Sequence, residues 1–440
     1  MTARTVDAPL VASRTRGSLS RTQGLGLAGV VLGLLTTLLF GLREPSHRTA
    51  HLALRATGDT GGVHVPTLVV PVHLTCLILG VLMVLAGLAQ ATNARRSRLD
   101  TLVTAFVLLA FVFAFLAWAD SGKSLALNLV DAGNGAMVRA VPLILGALAG
   151  IACERSGVIN IAIEGQLLVG AFAGAMVASA LTKPAATTTS TALWLGVLAA
   201  ALAGGLLALL LAVFAIRYLV NQVILGVVLN VFALGLTNFL YDRVMSPHAD
   251  SLNQGVGFPN LKVPGLSEIP ILGPILFDGN VFLYLTYGLL IVVHVGLFRT
   301  RWGLRVRAVG EHPTAAETVG IKVLATRYRS VILGGLFAGI GGATFTIGAG
   351  VEFGKNITSG RGYIALAAVI FGCWKPRGAF FAALIFGAAD VLASALGVIG
   401  TRVPSDFLAM APYLVTLFAV AGLIGRVRAP GADGEPYQKS

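Results

Sequence analysis

The sequence is short of charge. Of its 440 residues only 12% are Asp, Glu, Lys or Arg, about half the share found in soluble globular domains. Hydrophobic residues make up 56% and the mean hydropathy is +0.84, which places the chain outside the soluble class. Cysteine is scarce too. Cys76, Cys153 and Cys373 each lie in or beside an apolar stretch, with no CxxC spacing and no histidine cluster. That excludes a disulfide framework and a zinc site, and leaves buried thiols. There is no GxxxxGK[ST] phosphate loop, no HExxH and no GxSxG, so neither nucleotide hydrolysis nor a familiar catalytic constellation is expected on this chain. Clustered carboxylates are missing from the apolar runs, where Glu164 and Asp390 stand isolated. This weighs against an ion-coupled autonomous secondary transporter, which stays as the alternative reading.

What is present is a series of apolar runs, several long enough to cross a hydrocarbon core of about 30 Å. The fold class is therefore all-α and polytopic, with about 10–12 transmembrane or half-spanning helices. A barrel would show short alternating segments instead. The expected segments are 24–41, 66–90, 101–119, 137–152, 157–180, 191–216, 221–241, 272–296, 331–350, 363–373, 378–398 and 406–425. Residues 120–139 read as an external, partly amphipathic lead-in. The stretch 363–373 is too short to span, so it reads as a half-helix buried in protein. Many of the 54 glycines fit close helix packing, as in Gly29/Gly33, Gly146/Gly150 and Gly335/Gly339. The net charge of +13 sits in short loops beside apolar spans, a distribution that reports orientation in a membrane rather than nucleic-acid binding. Alternating through the segments puts Arg95–Arg98, Arg155, Arg217, residues 298–330, Lys375 and Arg377, and both termini on the cytoplasmic side of a multi-pass cell-membrane protein. The charge-balanced loop 242–271 falls outside.

Residues 298–330 interrupt the oil with seven Lys/Arg against Glu311 and Glu317. Pro313 suits a first helical turn and Gly320 the position just past a helix end, so Pro313–Val319 reads as a short surface helix. A partner could grip such a helix. Glu311 and Glu317 would meet its basic groups, and the small Ala315 and Ala316 would allow close approach. The competing reading is a solvated loop that only sets topology. Inside the apolar runs, Asn160 and Glu164 are four apart and would share a helix face. Glu164 either lines a polar route or anchors a helix break near Gly157. Asn221, Gln222, Asn230 and Asp390 complete the set of candidate pathway or anchor residues, and Asn238 would face the same way as Asn230.

Four blocks carry a resemblance: ERSGVINIAIEGQLLVGAF (154–172), NQVILGVVLN (221–230), RAVGEHPTAAETVGI (307–321) and GRGYIALAAVIFGCWKPRG (360–378). In that order they resemble the permeases of ABC importers, in the branch associated with nucleosides and simple sugars and related to branched-chain amino-acid permeases. The likeness covers roughly residues 125–425. Two departures stand out: Gln222 where the family often has an acid, and Cys373 where it has another residue.

The resemblance implies the ABC importer permease fold and alternating access for a nucleoside or simple sugar. It also implies that 307–321 holds a coupling helix docking on a separate ATP-binding subunit, with Glu311, Pro313, Ala315, Ala316, Glu317 and Gly320 at the contact. No catalytic residue, metal or cofactor is then expected here, because ATP and magnesium belong to the partner subunit. The other expected partners are a second permease subunit, identical or similar, an extracytoplasmic solute-binding lipoprotein and membrane lipid, with no nucleic acid. The organisation reads as a cytoplasmic arm (1–23), an accessory transmembrane region (24–119), the permease core (120–425) with its coupling loop (298–330), and a cytoplasmic tail (426–440).

Overall fold

The computed structural model describes residues 20–57, 65–92, 98–123, 126–182, 189–401, 403–404, 407, 410 and 428–438. Among them, ten helices are long and apolar enough to cross a membrane, and Arg361–Phe371 is a shorter apolar helix. The chain is a multi-pass membrane protein. The expected arm 1–23 and span 406–425 fall almost wholly outside the described residues.

The described residues form two units. The first comprises residues up to Ala53 and Pro66–Leu127. Its helices are Arg21–Leu35, continued by a wider turn through Gly41, Val72–Thr92 and Arg98–Asp120. Glycines bring the first two backbones together. A Cβ on Gly26 would lie 2.4 Å from Ala91 N, and one on Gly87 would lie 2.6 Å from Val30 N. Strands Thr49–Ala53 and Leu68–Pro71 pair antiparallel, so the second span starts at Val72 rather than at 66.

The second unit holds residues 54–57, 65 and those from Asn128 on. Its central element is the helix Leu129–Glu154, capped by Asn128, whose Oδ1 accepts from Val130 N and Asp131 N at 3.0 and 3.1 Å. Ile144, Leu148 and Ile151 on this helix form the main core with Phe337, Val369 and Phe386. The expected external lead-in 120–139 is thus in part the first turns of a single long span. Its polar Asn134 finds partners in a distant segment, donating to Pro274 O and Asp278 O at 2.8 and 2.7 Å. Helices Thr189–Ala212 and Val323–Ala343 are packed through Gly204, Gly335 and Gly339.

The basic stretch holds a second helix that was not anticipated, Arg301–Glu311. Thr300 caps it, Gly303, Val306, Val309 and Gly310 are its buried residues, and its arginines lie on the other faces. The following span begins at Val323, eight residues before the expected start.

Candidate coupling surface and the polar seam beneath it

The expected helix from Gly157 does not form. Residues 155–162 are turns and extended chain, and helix Ile163–Leu181 starts only at Ile163. Asn160 and Glu164 therefore do not share a helix face. Gly157 has φ +86°, which a residue with a Cβ resists, so the break is written into the backbone. Asn160 is fully buried and exchanges two side-chain bonds with Gln166, at 3.0 and 3.2 Å. Gln222 Oε1 accepts from Ile159 N at 2.7 Å. An acidic side chain could accept the same bond. Asn221 caps its own helix, accepting from Val223 N and Ile224 N. Asn230 accepts from Gly165 N at 2.8 Å and donates to Ile161 O at 2.9 Å and to Tyr363 Oη at 3.1 Å. Among the described residues Asn238 makes no comparable bond, and its buried Oδ1 has no partner there.

Glu164 accepts from Thr358 Oγ1 (2.6 Å), Gly360 N (2.8 Å) and Gly362 N (2.6 Å). It thus holds the start of the half-helix Arg361–Phe371 against the start of Ile163–Leu181. Helix N-termini favour a negative charge, and Glu164 sits at two of them. The Gly362 position must be glycine, because a Cβ there would lie 2.4 Å from Glu164 Cα. At its other end the half-helix turns back sharply. Cys373 and Trp374 both have φ +52°, a left-handed conformation that is costly for residues with a Cβ. The break at Glu154–Arg155 holds that turn: Trp374 Nε1 donates to Glu154 Oε2 at 2.5 Å, and Arg155 Nε donates to Trp374 O at 3.0 Å. So the four blocks that carry the resemblance, scattered in sequence, converge on one break.

Asp390 behaves differently from the buried anchors. Its Oδ2 is 3.1 Å from Arg139 Nη1 and 3.5 Å from Arg361 Nη2, and each side chain of this triad is about one-third exposed. Counting rise along each helix puts Arg139 about 22 Å from Glu154 and Asp390 about 21 Å from Pro376, so the triad lies within both spans, nearer the ends away from the break. Asp390→Asn leaves two arginines facing each other there. We expect this variant to lower the thermal midpoint of the purified protein, with a cost of about 1–3 kcal/mol after allowing for solvent access. Arg139→Gln in the same chain should recover most of the loss. An unchanged midpoint for Asp390→Asn would mean the triad carries no stability.

Above the break, the short helix occupies Pro313–Thr318. His312 caps it through Nδ1, which accepts from Ala315 N at 3.3 Å. It closes in a paired exit turn: Gly320 N donates to Glu317 O at 2.8 Å and Ile321 N to Ala316 O at 3.1 Å, with Gly320 at φ +83°. One expectation needs correction. Ala316 does not face outward; it is 3% exposed and packs on Val309, Val323 and Tyr437. The outer face is made by Thr314, Ala315, Thr318 and Val319, the last 75% exposed. The two carboxylates are also engaged within the chain, although Glu311 stays exposed. Glu311 accepts from Gly431 N at 3.1 Å and lies 4.0 Å from Arg155 Nη1, and Glu317 accepts from Tyr437 Oη.

The family described as "Branched-chain amino acid transport system / permease component" matches residues 134–424. The chain belongs to this permease family. It is 40% identical to the guanosine ABC transporter permease protein NupQ of Bacillus subtilis, over 69% of this chain and 95% of that one. It is 38% identical, over the same shares, to the nucleoside ABC transporter permease protein NupC of Lactococcus lactis. It is also 35% identical to a putative glucose ABC transporter permease protein of Haloferax volcanii, over 59% of this chain and 75% of that one. No solved structure matches the chain.

Several residues that organise this permease carry no signal in a linear reading. Arg139 fell where the external lead-in 120–139 and the span 137–152 overlap, and Tyr437 in the cytoplasmic tail 426–440. Arg361 and Trp374 lay inside a recognised block, yet nothing local says that Asp390 and Glu154 meet them. For Arg139 there was one weak exception, a charge at the edge of the apolar run that follows it.

Proposed function

We propose that this chain is the membrane-spanning permease of an ATP-driven importer for a nucleoside or a simple sugar. A separate ATP-binding subunit would hold ATP and magnesium and do the hydrolysis, and the chain itself would carry no metal or cofactor. A second permease subunit, identical or similar, would complete the transmembrane part, and an extracytoplasmic lipoprotein would deliver the solute. Nucleoside is favoured because the two 38–40% identical relatives are named for guanosine and nucleoside transport. The basic end of the bundle, with Arg155, Arg217, Lys375 and the helix Arg301–Glu311, faces the cytoplasm on this reading, as do both ends of the chain.

The observation that carries the proposal is the helix Pro313–Thr318. It is too short to persist alone, yet it is capped, closed and backed by buried side chains while its outer face stays open. A topological loop needs none of this. The secondary-transporter alternative is further weakened by the carboxylates. Glu164 is bonded through both oxygens and Asp390 is shared between two arginines, so neither is free to take a coupling ion.

Ala315→Trp places a bulky ring on the outer face without touching the buried side. The permease should insert and remain monodisperse. Recovery of the ATP-binding subunit by co-purification should drop at least tenfold, about 1.4 kcal/mol of docking free energy, and guanosine uptake into proteoliposomes should be lost. Wild-type recovery and uptake would reduce residues 298–330 to a connector.

A further inference from the structure

Residues 428–438 are polar and rich in Pro and Gly in sequence, yet they lie folded between the short helix and the break 155–162. On one side, Ala432 N donates to Gly310 O at 2.8 Å and Gly431 N to Glu311 Oε2 at 3.1 Å, just before the short helix. The Tyr437 hydroxyl donates to Glu317 in its last turn. The segment therefore grips the helix at both ends. On the other side, Gly434 N donates to Gly157 O at 3.4 Å and Glu435 O accepts from Arg327 Nη1 at 3.0 Å. A Cβ on Gly157 would lie 2.9 Å from Ala432 O, and one on Gly434 would lie 2.6 Å from Ile159 Cδ1. The fit depends on glycine on both surfaces.

Arg327 shows that this placement is built in. Its side chain is 2% exposed at the start of a span, with the Tyr437 ring 5.8 Å from its guanidinium. A buried guanidinium is costly without facing acceptors; the segment supplies one through Glu435 O and brings the Asp433 carboxyl close enough to act on it electrostatically, without a hydrogen bond. Burial raises the Asp433 carboxyl, to about 7 even with Arg327 and Arg155 pulling it down.

We infer that residues 431–437 are a brace between the coupling helix and the break 155–162, required to turn movement of that helix into transport. The inference rests on the coupling role given to the helix above. The break leads directly into Glu164, which holds the half-helix, so the brace joins the docking surface to the polar seam. Tyr437 and Gly434 act through the helix and are positioning residues.

Two variants of the full chain test this. Tyr437→Phe keeps the buried ring and removes the hydroxyl bonded to Glu317. Gly434→Val drives a side chain into Ile159 and opposes φ +78°. In the detergent-purified permease, amide hydrogen exchange at residues 315–321 should rise at least threefold for Tyr437→Phe and tenfold for Gly434→Val. In proteoliposomes with the ATP-binding subunit and the binding protein, guanosine carried per ATP hydrolysed should fall at least twofold and fivefold respectively, with co-purification of the ATP-binding subunit unchanged. Unchanged exchange, or faster exchange with unchanged guanosine per ATP, overturns the brace. So does loss of ATPase binding, which would make the segment part of the docking surface instead. Should Gly434→Val fail to fold, Tyr437→Phe decides by the same two readings. The exchange arm needs neither ATPase nor solute, so it separates failure of the brace from failure of the importer reading, which Ala315→Trp addresses.

Discussion

Glu164→Leu is expected to yield little folded permease. The carboxylate accepts from Thr358 Oγ1, Gly360 N and Gly362 N in a site where it is 8% exposed. Leucine leaves two backbone donors and a hydroxyl unsatisfied at membrane depth, where water cannot replace the acceptor. Each orphaned buried donor costs roughly 1–3 kcal/mol, a large share of the ~5–15 kcal/mol that holds a typical fold together. Glu164→Gln should fall in between. Its amide oxygen can serve the donors on one side, but its NH2 then confronts a donor on the other. The yield of monodisperse protein after detergent extraction, with its thermal midpoint, should rank wild type above Glu164→Gln above Glu164→Leu. A pathway role alone predicts equal yields and altered uptake, so equal yields would remove the anchor reading.

Gly339→Val should be as damaging for a different reason. A Cβ at Gly339 would sit 2.1 Å from Ala200 O and 2.9 Å from Ala200 C, which are backbone atoms that cannot swing aside. Helices Thr189–Ala212 and Val323–Ala343 must part to admit it. In lipid the hydrophobic effect does not close the gap again, so the packing that drives association is lost. Overpacking costs about 1–3 kcal/mol in soluble cores, and displacing a whole helix should reach the upper end or beyond. Gly235→Ala is the control: nothing lies within 4 Å of a Cβ there, and a helical glycine gains from acquiring one. Thermal unfolding of the two purified variants should move in opposite directions. Comparable midpoints for Gly339→Val and wild type would show that the two helices are not locked together as the distances require.

The coupling helix shows where local reading stops. Pro313 and Gly320 set its limits because each imposes a backbone condition at its own position: a fixed φ with no N–H to satisfy, and a left-handed φ of +83°. Which alanine faces outward is another matter. Six residues give less than two turns, too few for a periodic pattern, and the answer came from Val309, Val323 and Tyr437, which close over Ala316. The break at 155–162 is similar. Nothing in the run from Gly157 to Ala180 opposes a helix strongly, and the four-residue spacing of Asn160 and Glu164 suggested one. The chain stays open there because Gln222 and Asn230 take up the Ile159 N–H and the Ile161 carbonyl, backbone groups that a helix would have used internally.

The membrane class, most of the spans, the half-helix Arg361–Phe371 and the ends of the short helix were determined by the sequence itself. Each depends on hydropathy over about twenty residues, or on the φ demanded at a single position, and these are local quantities. The pairing of Arg139, Ala316 turned inward, Glu164 held by the start of the half-helix and residues 428–438 seated under the short helix were decided only by the tertiary structure. In each case the stabilising partner lies tens to hundreds of residues away in the chain: Asp390 for Arg139, Tyr437 for Ala316, Thr358 and Gly362 for Glu164, and Gly310 for Ala432. A buried charge or an unpaired backbone group is unfavourable judged alone and acceptable once its partner arrives, and only the folded chain brings that partner.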